Sequence, residues 1–219
     1  MKEKQLAVLF DMDGVIADTN PFHQVAIRQF CEKYGFSLTE DEMKRRIYGR
    51  TNTDWITALF GKLTSEALQR YADEKEALFR QMYAPYVRPV EGLIGFLNDL
   101  QSANIPCALT TSAPPANVEF LMQHIPVRHH FRIVLDERSV TNGKPNPEIY
   151  LKAAAALQLP NERCIVMEDS LSGIKAGKAA GSKVIGITTT HTPDELADAD
   201  LTVENFNQLS LNDLYRLMD

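Results

Sequence analysis

Leu6-Ala7-Val8-Leu9-Phe10 runs directly into Asp11-Met12-Asp13-Gly14-Val15. The apolar run has the composition of a strand buried on both faces. Its end is harder to place. Two carboxylates separated by one residue repel each other and resist burial. A shared divalent cation would resolve that conflict, and oxygen ligands favour Mg²⁺. One of the two aspartates would then serve as a nucleophile toward phosphorus, as aspartate does in phosphoenzyme chemistry. Read alone, the same residues also describe a strand-end turn, where Asp and Gly are common.

The sequence beyond this segment has two characters. From about 18 to 87 strand signals are sparse. Phe22, Val25, Ala26 and Phe30, and later Leu68, Tyr71, Ala72, Leu78, Phe79 and Met82, fall at helical spacing. Asn20-Pro21 reads as a helix start, and Pro85 and Pro89 mark a boundary. Beyond it, helices and strands alternate. Leu93, Phe96, Leu97 and Leu100 form a helix face, Ile105 to Thr111 a strand, and Asn117 to His124 a helix. Arg132 to Leu135 is a strand, and Pro147 to Leu157 a helix with Asn146 as N-cap and Pro at its first position. Cys164 to Met167 is a strand, Ser172 to Ala180 a helix stopped by Gly181, and Val184 to Ile187 a strand. Leu211, Leu214, Tyr215 and Met218 give the tail from about Leu201 a helical pattern. Such alternation predicts an α/β fold, a doubly wound parallel sheet. The helical stretch 18–87 is then an insert, with residues 1–17 and 88–219 forming the sheet domain.

Sheets of this kind bind ligands at the carboxyl ends of their strands. Asp11 and Asp13 lie at the first such end, Thr110-Thr111-Ser112 at the second, and Glu168-Asp169-Ser170 at another. Asn142-Gly143-Lys144-Pro145 places a lysine in a loop just ahead of a helix. Each has an ordinary structural reading: helix caps for Thr111 and Ser112, a surface position for Lys144, and helix N-terminal contacts for Glu168 and Asp169. Their convergence on one edge favours chemistry.

Composition narrows the classes. The 219 residues carry a net charge of −6, with no basic stripe of the kind that neutralises nucleic-acid phosphates. Lys44-Arg45-Arg46 follows Glu40-Asp41-Glu42 and reads as a solvated helix face. At 44% hydrophobic, the composition is that of a soluble globular protein. No apolar run approaches the ~20 residues of a membrane span. No secretion-signal pattern precedes the first strand. Cys31, Cys107 and Cys164 show neither zinc spacing nor a disulfide framework, and a reduced cytoplasm is the expected location. His124, His129 and His130 lack a supporting carboxylate pattern for a metal and read as surface or satisfied polar residues.

Taken together, Asp11-Met12-Asp13-Gly14-Val15, Thr111, Lys144-Pro145 and Glu168-Asp169 make the chain resemble the haloacid dehalogenase superfamily of phosphohydrolases. The stretch Asp169-Ser170-Leu171-Ser172-Gly173-Ile174-Lys175-Ala176-Gly177 is similar to the branch containing β-phosphoglucomutase and small-metabolite phosphatases. The helical insert occupies the position of that branch's α-helical cap. The resemblance implies Asp11 as nucleophile and Asp13 as general acid and base. It implies Mg²⁺ held by Asp11, Asp13 (through its backbone carbonyl) and Asp169, with Glu168 bound directly or one contact removed. Thr111 and Ser112 would hold phosphate, and Lys144 would neutralise charge on both nucleophile and phosphoryl group. Dehalogenases of the superfamily lack the second aspartate, so Asp13 argues against dehalogenation. Phosphonate-cleaving relatives use a cap lysine; Lys33, Lys44 and Lys62 read as ordinary surface lysines.

Within that branch, a mutase grips a second phosphate with a cap arginine in a Gly-x-Ser-Arg segment. The matching segment here is Gly49-Arg50-Thr51-Asn52. Asn has neither the charge nor the bidentate fork of arginine. The expected activity is therefore hydrolysis of a small phosphorylated metabolite, with a phosphomutase as the alternative and a non-catalytic binding protein a distant third. His23, Arg50, Thr51 and Asn52 are the cap residues expected to meet substrate, and Trp55 is expected in the cap core. Nothing in the pattern requires a second subunit, so a monomer or weak homo-oligomer is expected.

Overall fold

The computed structural model describes residues 5–219; the first four residues of the segment 1–17 lie outside the described residues. β1 (Ala7–Phe10) is buried along its whole length, as four consecutive apolar residues require. The chain then divides into two compact units. One contains Thr19–Tyr86, and the other contains the residues up to Asp18 together with Val87–Asp219.

The smaller unit is helical: α1 (Asn20–Lys33), α2 (Glu40–Arg46), α3 (Asn52–Phe60) and α4 (Ser65–Tyr83). Pro21 sits in the first turn of α1, where a missing N–H costs nothing. Thr39 and Glu42 close a capping box on α2. Lys44, Arg45 and Arg46 are exposed in its last turn, where they complement the helix dipole. Ile27, Phe30, Cys31, Met43, Ile47, Trp55 and Ile56 form the core of this unit. Trp55 packs edge-on to Phe30 with ring centroids 5.6 Å apart, as expected of a core aromatic.

The larger unit continues with α5 (Leu93–Ser102), β2 (Cys107–Thr110), α6 (Pro115–His124), β3 (Phe131–Leu135) and α7 (Glu148–Ala156). It ends with β4 (Cys164–Glu168), α8 (Leu171–Ala179), β5 (Lys183–Ile187), β6 (Leu201–Val203) and α9 (Leu211–Met218). The six strands form one sheet in the order β3-β2-β1-β4-β5-β6, and every pairing is parallel. Leu9 and Val166 face Ile149, Tyr150, Ala153 and Ile174 in one apolar layer. Phe131, Phe10, Phe206 and Phe96 pack ring to ring in that order.

Three local expectations change. Leu201–Val203 is a strand, not part of a helical tail: Thr202 pairs with Gly186 at the sheet edge. The cap of α7 is Pro147, one residue later than Asn146, although Asn146 Oδ1 still accepts the Glu148 N–H at 3.0 Å. His130 is not fully satisfied, because its buried Nδ1 has no hydrogen-bond partner in the protein. Gly181 has φ +84° just past α8, a left-handed conformation suited to a helix stop. All three cysteines are buried and unpaired. Among the described residues no helix is long and apolar enough to cross a membrane.

Candidate active site

Strand register assembles the site. Phe10 pairs with Leu109 on one side and Met167 on the other. The next residues, Asp11, Thr110 and Glu168, therefore leave the sheet at the same level. The Asp11 N–H continues the ladder by donating to Met167 O at 2.9 Å, and Thr110 Oγ1 donates to Phe10 O at 3.0 Å. The two central strands are thus locked to each other where they carry carboxylates.

Lys144 reaches this level from the loop before α7. Its Nζ donates to Asp11 Oδ1 at 2.5 Å, to Glu168 Oε1 at 2.6 Å and to Thr110 O at 3.2 Å. Tyr150 Oη donates to the same Glu168 Oε1 at 2.9 Å, and Lys144 Nζ lies 5.1 Å from the centre of its ring. Glu168 Oε2 accepts from Asp169 N, Ser170 N and Ser170 Oγ at 2.9–3.0 Å. Glu168 is thus held by the cap of α8 and the residue before it, while also holding Lys144. Gly173 accommodates that carboxylate: a Cβ there would lie 1.7 Å from Glu168 Oε1.

Asp11, Glu168 and Asp169 are buried, and each offers a carboxylate oxygen within 4.8 Å of the others. Burial pushes the Asp11 carboxyl up to about 8, with Glu168 and Asp13 adding to the rise and Lys144 opposing it. Burial and the neighbouring Glu168 and Asp11 hold Asp169 well above the carboxylate range. Glu168 goes the other way: burial raises it, but Lys144 and the Ser170 bonds outweigh burial. One lysine faces three carboxylates, so this pocket is short of positive charge. That deficit and the all-oxygen donor set fit a hard divalent cation such as Mg²⁺.

Asp13 is half-buried on the turn after β1, where Gly14 N donates to Ala17 O at 2.7 Å. Its side chain is not among the three clustered carboxylates. Thr111 is buried; its N–H donates to Leu135 O at 2.9 Å, and its Oγ1 accepts from Ala113 N at 3.0 Å. Ser112 beside it is exposed.

His23, Arg50, Thr51 and Asn52 belong to the helical unit. His23 stacks on Phe79 with centroids 3.7 Å apart, and its Nδ1 lies 3.0 Å from Lys75 Nζ. Asn52 Nδ2 donates to Glu76 Oε1 at 2.8 Å, and Asn52 Oδ1 accepts from Trp55 Nε1 at 3.1 Å. Thr51 is the N-cap of α3 and bonds Asp54. Arg50 is exposed and donates to Arg45 O at 3.0 Å. Lys75 and Glu76 are buried and paired at 2.7 Å. They escape the sequence reading because Asp73-Glu74-Lys75-Glu76 looks like a solvated run. The usable signal is spacing: Lys75 stands four residues from both Tyr71 and Phe79, on the apolar face of α4. Tyr150 and Thr190 also escape it. The first reads as core, and the second lies past a strand with no acidic residue.

Comparison with known proteins gives the family of the chain. Residues 8–187 match the family model described as haloacid dehalogenase-like hydrolase. A phosphorylated carbohydrates phosphatase of Thermotoga maritima is 32% identical over 183 residues, covering 83% of this chain and 84% of that protein. β-Phosphoglucomutase of Bacillus subtilis is 29% identical, covering 95% and 93%. The crystal structure of a haloacid dehalogenase hydrolase from Entamoeba histolytica superposes with a TM-score of 0.91 at 32% identity, over 98% of this chain and 99% of that one. These relatives, on a parallel sheet with an acidic carboxyl edge, define an enzyme of the phosphoric monoester hydrolase class. The chain belongs to the haloacid dehalogenase-like hydrolase family.

Proposed function

We propose that this chain is a Mg²⁺-dependent phosphatase of small phosphorylated metabolites, sugar phosphates in particular, working through an aspartyl-phosphate on Asp11. The observation that carries this reading is the Asp11 carboxylate at the edge of the sheet, held by Lys144 at 2.5 Å beside Glu168 and Asp169. An Asp11 oxygen attacks phosphorus and the ester P–O bond breaks. Asp13 gives its proton to the departing oxygen. Asp13 then takes a proton from water as that water attacks the phosphoenzyme; the Asp11–phosphorus bond breaks, releasing phosphate and restoring the carboxylate. Lys144 balances charge on Asp11 and on the phosphoryl oxygens, and Thr111 with Ser112 holds those oxygens. Mg²⁺, held by Asp11, Asp169 and the Asp13 backbone, with Glu168 behind them, would let an anionic carboxylate approach an anionic phosphate. Most of what a loose phosphoryl-transfer transition state needs is positioning and electrostatics of this kind.

The helical unit would serve as a cap that excludes water and selects substrate. Its Asn52 favours hydrolysis over the mutase alternative. The amide is engaged by Glu76 and Trp55 and carries no charge for a second phosphate. The relative from Thermotoga maritima supports phosphorylated carbohydrates as the substrate class. A reduced cytoplasm suits the three unpaired cysteines.

The test is phosphate release from a panel of sugar phosphates and other small phosphate esters with Mg²⁺, with and without chelator. Chelator-sensitive release is expected. Interconversion of a hexose 1-phosphate and 6-phosphate that needs a bisphosphate, without net release, would replace the phosphatase by the mutase. Neither reaction on any ester would point to a binding protein.

A further inference from the structure

β5 brings no carboxylate to the site, yet the segment leaving it reaches both acidic loops. Its base is tied down, since Thr188 N donates to Val203 O on β6 at 2.9 Å. Thr189 Oγ1 donates to Gly14 O at 2.6 Å, and Thr190 Oγ1 donates to Asp169 Oδ2. Two consecutive hydroxyls thus hold the turn after β1 and the carboxylate after β4. Register explains the reach: Glu168 pairs with Gly186, so Asp169 and the residues after β5 emerge side by side.

We infer that Thr190 is a positioning residue for the metal-holding carboxylate of Asp169, and that Thr189 braces the peptide next to Asp13. The inference rests on the Mg²⁺ reading of the preceding subsection. The two oxygens of a carboxylate are equivalent until something distinguishes them. A hydroxyl donating to Oδ2 fixes the plane of the group and its rotamer. Such outer contacts orient ligands and govern metal affinity. A hydroxyl suits this task better than a cation, because it holds the carboxylate without adding a positive charge that would repel Mg²⁺. Thr189 completes the arrangement by holding the carbonyl one residue beyond Asp13. In this reading β6, through Thr188, anchors a segment that serves the site from the far side of β5.

The test is calorimetric titration of the full chain with magnesium chloride, comparing the parent with Thr190→Val, Thr190→Ser and Asp169→Asn. Thr190→Val keeps the shape and removes the donor. It is expected to weaken Mg²⁺ binding about 10–100-fold with an unchanged melting temperature. Thr190→Ser is expected to restore it. The Mg²⁺ concentration for half-maximal rate should rise by the same factor while the rate at saturating Mg²⁺ holds. Parent-like binding by Thr190→Val, alongside loss in Asp169→Asn, overturns the role of Thr190 and leaves the metal reading standing. Parent-like binding by Asp169→Asn overturns the metal reading itself.

Discussion

Lys144 and Lys75 both have almost wholly buried side chains, 6% and 4% exposed, and both are held by carboxylates. Their neighbourhoods differ in charge. Lys144 faces Asp11 and Glu168 with Asp169 close by, and Asp11 is pushed up to about 8. Lys75 faces Glu76, with His23 and Asn52 beside them, and Glu76 is drawn down to about 2. Glu168 and Glu76, each paired with a buried lysine, are both lowered, whereas Asp11 and Asp169, which share the Lys144 site with Glu168, are raised. The difference is stoichiometry: a matched pair settles itself, whereas three carboxylates around one lysine leave negative charge looking for a cation. A buried ion pair is ordinary structure, while a buried imbalance points to a ligand.

Substitutions that remove the imbalance should have the largest effect. Asp11→Asn is expected to abolish phosphate release, since the amide cannot attack phosphorus, and to leave the protein folded. It removes a buried carboxyl that is costly to ionise in a site short of positive charge, so the melting temperature without Mg²⁺ should hold or rise. Substantial residual turnover, measured against an inactive blank, would break the assignment of the nucleophile. Asp13→Ala is expected to slow turnover by roughly 10²–10⁴-fold, the usual worth of a general acid and base. Its loss should be smallest for esters whose leaving group needs no proton. A rate near that of the parent on an alkyl phosphate would remove Asp13 from the role.

The contrast between the lysines also explains what could be read from the chain itself. Asp11, Asp13, Glu168 and Asp169 stand at the ends of apolar runs, where charge conflicts with burial, and a conflict is visible in one dimension. The parallel sheet was equally visible, because strands and helices alternate with different periods. Lys75 and Glu76 conflict with nothing nearby, being surrounded by charged residues, and only their place on the apolar face of α4 betrays them. β6 is three residues long, Leu-Thr-Val, and its pairing with β5 rather than any pattern of its own makes it a strand. Thr190 acts through register, which brings β5 beside β4, and register is a property of the sheet.

The matched pair makes a prediction of its own. Burial raises the Glu76 carboxyl, but Lys75, His23 and Asn52 outweigh burial and bring it from 4.5 to about 2. A carboxyl lowered on folding stabilises the protein above its unfolded value. That stability is fully present above about pH 5 and is lost as the pH falls toward 2. The shift corresponds to about 3 kcal/mol. Urea unfolding of the parent should weaken across that window. Glu76→Gln should be less stable at pH 7 by about 3–5 kcal/mol, because it leaves Lys75 buried without its counter-charge. Its stability should also depend less on pH between 5 and 2. An unchanged pH profile in Glu76→Gln would show that Glu76 is not the titrating group.

The smallest effect is expected at Arg50, and it bears directly on hydrolysis against transfer. Arg50 is exposed, and its guanidinium donates to Arg45 O at 3.0 Å. Asn52, at the position that the resemblance assigns to a mutase's phosphate-gripping arginine, is engaged by Glu76 and Trp55. If no side chain of this loop grips a second phosphate, Arg50→Ala should change kcat/KM for a monophosphate ester by no more than about twofold, the range of an ordinary surface substitution of about 0.5 kcal/mol. A rise in KM of tenfold or more, confined to substrates bearing a second phosphate, would make Arg50 the grip that Asn52 lacks. That outcome would favour phosphoryl transfer within a bound sugar phosphate over hydrolysis.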